Sequence, residues 1–133
     1  MLLANKNTVD KYMIDNWTST PIAFDLENFT MPSTKRWISV QLMQYDRELI
    51  GLAPQHGRKL DYGLIIVKVY DTSFTKSYLL VDEIIKMLEC VTMSNSDGTQ
   101  LMVGLGTPDV NGYEDLQNGV FRTTINFEVK KYN

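Results

Sequence analysis

The side chains able to do chemistry are few in this chain and widely spaced. His56 is the single histidine, set in "APQHGRK" between a proline and a glycine. A general base or a metal ligand at that point needs partner groups, and the sequence shows no such set. The stretch reads as a solvated loop. Cys90 is the single cysteine; a nucleophilic thiol needs a base or a positive field beside it, and Lys86, one helical turn earlier, supplies only a weak one. It reads as a partly exposed, unreactive thiol. The acids of "VDEIIKMLE", Asp82, Glu83 and Glu89, fall on the solvent side of a helix, where Asp82 and Lys86 make an ordinary i, i+4 pair. "GLGTPDVNG" has glycines after a strand but neither the full GxGxxG spacing nor a following helical pattern, so it does not cradle a phosphate. No catalytic, cofactor-binding or metal-ligating residue is expected.

The elements around these residues follow from periodicity. Wound as a helix, residues 3–18 bring Val9, Tyr12, Met13 and Trp17 to one side with Leu2, and turn Lys11 and Asp15 away. Pro21 stops that helix, because a proline excludes its predecessor from the helical region. "PIAF" reads as a short extended segment and "ENFTMPSTK" as a loop. From Arg36 to Tyr45 the period becomes two, with Ile38, Val40 and Leu42 on one face. "DRELIGLAPQHGRKLD" reads as a long charged arm, and "YGLIIVKVYD" as a central strand with Ile65, Val67 and Val69 on one face.

"TSFTKSYLLVDEIIKMLECV" is predicted as a second helix, capped by Ser73 or Thr72, with Phe74, Tyr78, Val81, Ile85 and Leu88 in a stripe widened by Ile84 and Val91. "SNSDG" makes a turn. "QLMVGL" is predicted as a strand with Leu101, Val103 and Leu105 inward, and "TPDVNGYEDLQNG" as a polar connection. In the closing strand, Phe121, Thr123, Ile125, Phe127 and Val129 alternate against Arg122, Thr124, Asn126 and Glu128. The order predicts one α+β domain over residues 1–133: a mostly antiparallel sheet of four to five strands with two helices packed on one face.

A formal charge of −3 argues against a protein that grips nucleic acid by neutralising phosphates. One cysteine forms no intrachain disulfide, which suits a reducing cytoplasm. "MLLANKNTVDKYM" lacks the apolar core of a signal peptide, and no apolar run approaches the ~18 residues of a membrane span. The unusual feature is the arm. Arg47, Glu48, Arg58, Lys59 and Asp61 surround the apolar Leu49, Ile50 and Leu52, which a loop gains nothing by exposing to water. These eight residues are the candidate interface with another subunit or an assembly; the simpler expectation is that they fold back on their own sheet.

In this order the elements resemble the tail terminator (tail completion) proteins of long-tailed bacteriophages, the group that includes the lambda tail terminator. The resemblance spans most of the chain. It rests on the N-terminal helix running into "TSTPIAFDLENFTMP", on "RWISVQLM", the charged arm, "GRKLDYGLIIVKVYDTSFTKSYLLVDEIIKML" and "GVFRTTINFEV". It implies a virion structural protein of the tail and neck, assembled in the host cytoplasm. There a homohexameric ring binds the growing end of the tail tube, stops its polymerisation and offers its other surface to the head connector. Genomic DNA would pass the lumen without specific binding, repelled by an acidic lining over a Debye length of about 8–10 Å. No enzyme activity, cofactor or membrane partner is implied. A ring needs a heterologous contact, in which one patch meets a different patch on the neighbour; "PIAF" and the arm are expected on one side of it. Two alternatives remain: another neck or head-tail joining protein with the same symmetry, and a small ligand-binding or enzymatic α+β domain. The first would bind the head portal rather than tube ends, and the second would lose activity when His56 and Cys90 are replaced together.

Overall fold

Val9, Met13 and Trp17 recur at helical spacing, and all three are buried beneath α1 (Leu2–Asn16), while Lys11 and Asp15 pair in solvent at 3.6 Å. The structure is a computed structural model that describes residues 2–24, 29–50, 58–116 and 119–132. Ser73 opens α2 (Phe74–Leu88): its extended backbone precedes the first turn, and its Oγ accepts from the Lys76 N–H at 3.1 Å. This helix ends three residues earlier than the sequence predicts. Cys90 adopts the left-handed φ of 52° and sends its N–H to the Gly104 carbonyl at 3.0 Å, so Val91 enters a strand instead. The buried stripe is also rotated from the expected one. Ser77, Leu80, Val81, Ile84 and Leu88 face inward, whereas Tyr78 is exposed and Phe74 and Ile85 sit at the margin.

The sheet comprises β1 (Ile22–Phe24), β2 (Trp37–Ile50), β3 (Arg58–Asp71), β4 (Val91–Ser94), β5 (Gln100–Val103), β6 (Asp109–Asp115) and β7 (Phe121–Tyr132). Its order is β1-β2-β3-β7-β5-β4, with β6 beside the first half of β7 and β5 beside the second. The fold class is α+β, as expected, but the sheet is larger than four to five strands and is mixed. Among the described residues seven strands pair, and β1 runs parallel to β2 through Ile22↔Ile38 and Phe24↔Val40. The additional strands come from segments without apolar alternation. Asp109–Asp115, expected as a polar connection, is held as β6 by backbone pairing to β7 across a register shift near Gly112. Val91, expected to end a helix, instead opens Val91–Ser94, which pairs with β5.

Register explains the core. Ile38, Val69 and Thr123 align across β2, β3 and β7, as do Val40, Val67 and Ile125, and then Leu42, Ile65 and Phe127. Against this face pack Val9 and Met13 of α1, Trp17 just past its end, and Leu80, Val81, Ile84 and Leu88 of α2, so both helices cover the same side. Leu101 and Val103 join that core, but β5 ends at Val103, and Leu105, expected inward, is exposed. No helix among the described residues is long and apolar enough to cross a membrane.

Candidate interface surfaces

The arm is not the loop that its glycines and charges predicted. Arg47, Glu48, Leu49 and Ile50 lie in β2 and pair in register with Asp61, Leu60, Lys59 and Arg58 of β3, extending the β2–β3 hairpin. Glycine and proline are confined to 51–57, so the flanks are free to pair although their composition is polar. Leu52 and His56 lie outside the described residues. Pairing runs Gln44↔Gly63 and then Arg47↔Asp61, which sets two residues of β2 against Tyr62 alone. The pairing of β3 with β7 begins at Leu60↔Tyr132, so among the described residues the Leu49–Ile50 and Arg58–Lys59 rungs stand beyond it. Along its other edge β2 meets β1 only from Ile38 to Val40. "PIAF" therefore supplies the edge strand, and most of the long β2 is left without a described strand on that side.

The sheet face away from the helices carries an aromatic row at its β1 end. Trp37 stacks on Tyr70, its register partner, with centroids 4.2 Å apart and planes 5° from parallel, and Phe29 tilts over Trp37 at 5.9 Å. Tyr70 is in register with Arg122, and Arg122 with Glu114 of β6. The Arg122 guanidinium donates to Glu114 at 2.6 Å, which raises its pKa further above the ordinary arginine value. At the end of β3 the fully buried Asp71 accepts from Arg36 Nε at 3.0 Å and from the Thr72 N–H at 2.6 Å, joining the β2 entry to the start of α2. Replacing that carboxylate weakens its charge-assisted hydrogen bonds to Arg36 and to the turn at Thr72. Asp71→Asn is expected to lower unfolding stability by about 2 kcal/mol, read from the urea midpoint.

The helix side of the sheet also carries exposed apolar groups. Val110 is in register with Ile125; Ile125 is fully buried under the helices, whereas Val110 is 40% exposed. The flank of α2 that carries Glu83 and Met87 faces α1 and its exit: Ser19 Oγ donates to Glu83 at 2.9 Å and Tyr12 Oη to the Met87 carbonyl at 3.0 Å. Helical geometry puts Phe74, Tyr78 and Ile85 on the opposite flank. Phe74 and Tyr78 meet edge to face at 4.8 Å, and Tyr78 is 46% exposed. Tyr78 on α2 and Val110 on β6 are therefore exposed apolar groups on the helix side of the sheet. The exposed acids Asp82 and Glu89 lie on the same flank of α2, and the exposed Asp115 lies in β6. Sequence reasoning missed these apolar groups because it placed Tyr78 in the core and read β6 as a connection.

The residues first weighed for chemistry do not converge. Cys90 is exposed, with its Sγ 3.4 Å from the Gly104 carbonyl. Asp82, Glu83 and Glu89 are exposed on or just past α2. Among the described residues no group of three or more His, Cys, Asp or Glu side chains could hold a metal ion.

The fold itself has a counterpart. No protein-family model matches the chain, and no curated protein matches it. One solved structure, known by a serial designation alone, superposes with a TM-score of 0.67 over 96% of this chain and 90% of its own, at 13% identity. At that identity the likeness establishes the α+β architecture and nothing of what the protein does.

Proposed function

We propose that the protein is a ring-forming virion component that caps the bacteriophage tail tube, stops its polymerisation and meets the head connector. The observation that carries the reading is the margin of the sheet. β2 spans fourteen residues yet has β1 beside three of them, and the β2–β3 hairpin runs beyond the last described rung with β7. A long open edge invites pairing with other chains unless something covers it, and a projecting hairpin is well shaped to reach a neighbour. The element order that resembles tail terminators supports the same reading. In it the protein works through shape and repeated contact, as a homohexamer between tail tube protein and neck, with DNA passing an acidic lumen. Its place is the virion tail and neck.

The test is assembly. Purified protein is examined by light scattering across concentration and Mg²⁺, then imaged alone and with tail tubes. Rings are expected, free or at tube ends, and addition to a growing tube should fix its length. Binding to the head portal with no effect on tubes would instead assign a head-tail joining role. Monomeric protein that ignores both would overturn the reading.

A further inference from the structure

Asparagine followed by glycine is the pair at which a polypeptide most readily attacks itself, because glycine carries no side chain to hinder the main-chain nitrogen as it turns onto the neighbouring carboxamide. We infer that Asn111, followed by Gly112, is a site of spontaneous deamidation that the fold leaves open. The Gly112 amide nitrogen gives up its proton and bonds to Cγ of Asn111, the Cγ–Nδ2 bond breaks, and ammonia leaves with that proton. Water then opens the five-membered imide at either carbonyl, giving aspartate or isoaspartate. One water is consumed and one ammonia released, with no oxidant or cofactor.

Three observations carry it. First, Asn111 and Gly112 are both exposed on β6, which among the described residues pairs with β7 alone, so solvent reaches the peptide unit between them. Second, the ladder skips the glycine. Asn111 is in register with Thr124 and Tyr113 with Thr123, which leaves Gly112 as the extra residue of a bulge, without a rung of its own to clamp it. Third, a Cβ placed on Gly112 would meet nothing within 4 Å, so there is room for the ring to close.

The other described asparagines lack this combination. Asn5 is buried and its Nδ2 donates to Gln44 at 2.8 Å; Asn7 lies within α1 before the buried Thr8. Asn16 donates to the Tyr12 carbonyl at 2.8 Å and precedes the bulky Trp17, and Asn126 precedes the fully buried Phe127. Asn95 sits in a turn where the Ser96 N–H already donates to its Oδ1 at 2.8 Å. Conversion at Asn111 adds a carboxylate to a strand that already carries Asp109, Glu114 and Asp115, and isoaspartate also lengthens the main chain by a methylene beside the bulge.

The test is peptide mapping by mass spectrometry on protein held folded at mildly alkaline pH, with a parallel sample in urea. Replacing an amide by an acid raises the mass of the peptide that holds Asn111, and isoaspartate separates from aspartate by its retention. Conversion in the folded protein is expected within about tenfold of the rate in urea, as for a site that needs little local opening. Gly112→Ala, whose methyl finds open space in the fold, should slow it at least about tenfold in both samples.

Folded protein that keeps Asn111 intact while urea converts it would overturn the inference, because the fold would then protect the site. So would conversion confined to Asn118, which also precedes a glycine and which cleavage after Glu114 places on a separate peptide. Equal rates in wild type and Gly112→Ala would overturn it as well.

Discussion

Gly104→Ala is expected to remove about 3–5 kcal/mol of stability, a large share of the roughly 5–15 kcal/mol that holds a domain of this size together. Gly104 lies between β5 and β6 with φ at 68°, where an L side chain is strained by about 1–2 kcal/mol. Space is the larger obstacle. A Cβ there would meet the Leu88 carbonyl oxygen at 2.3 Å and the Cys90 nitrogen at 3.1 Å, both backbone atoms that cannot rotate aside. The same glycine donates to Glu128 at 2.9 Å and accepts from Cys90 at 3.0 Å, so yielding at this point disturbs the end of α2 and its junction with β7 together. Gly98→Ala supplies the control. Its φ of 90° is as demanding, but nothing lies within 4 Å of the added methyl, and a loss of only about 1–2 kcal/mol is expected. Equal urea midpoints for the two variants would contradict the role assigned to the Leu88 contact.

Phe127→Ala has the next largest effect. Phe127 is fully buried, in register with Ile65 at the centre of the sheet and inside the cluster that both helices cover. Removing a ring from such a site costs its transfer free energy and leaves a cavity that flanking strands cannot close, about 3–5 kcal/mol in total. The thermal midpoint should fall by roughly 10–20 °C. Glu128→Ala, one residue on and exposed on the other face, should fall within about 0.5 kcal/mol of wild type. A Phe127→Ala midpoint within a few degrees of wild type would mean that the helices do not rest on this part of β7.

Legibility followed the strength of each local pattern. The α1 face of Val9, Met13 and Trp17, the inward faces of β2, β3 and β7, and the Ser73 cap could all be read directly, since each is a period or a capping hydroxyl contained in its own segment. The α2 stripe was read one flank off. Apolar Phe74, Tyr78 and Ile85 made an equally good helical stripe, and only the position of the helix over β3 and β7 turned Tyr78 to solvent. Of the eight candidate interface residues, seven proved to be strand positions rather than loop, with Leu52 outside the described residues. Their composition had suggested a loop because charged residues flank a stretch with two glycines and a proline.

What the amino-acid order settled by itself was the class and the main core: two amphipathic helices and long alternating strands have one economical solution, helices laid on the apolar face of a sheet. What tertiary structure alone decided was the margins. β1 joins in parallel, β6 and β4 are recruited, and β2 sets two residues against Tyr62. These depend on main-chain hydrogen bonds to strands distant in sequence, and a backbone N–H carries no side-chain signature of the partner that it will find.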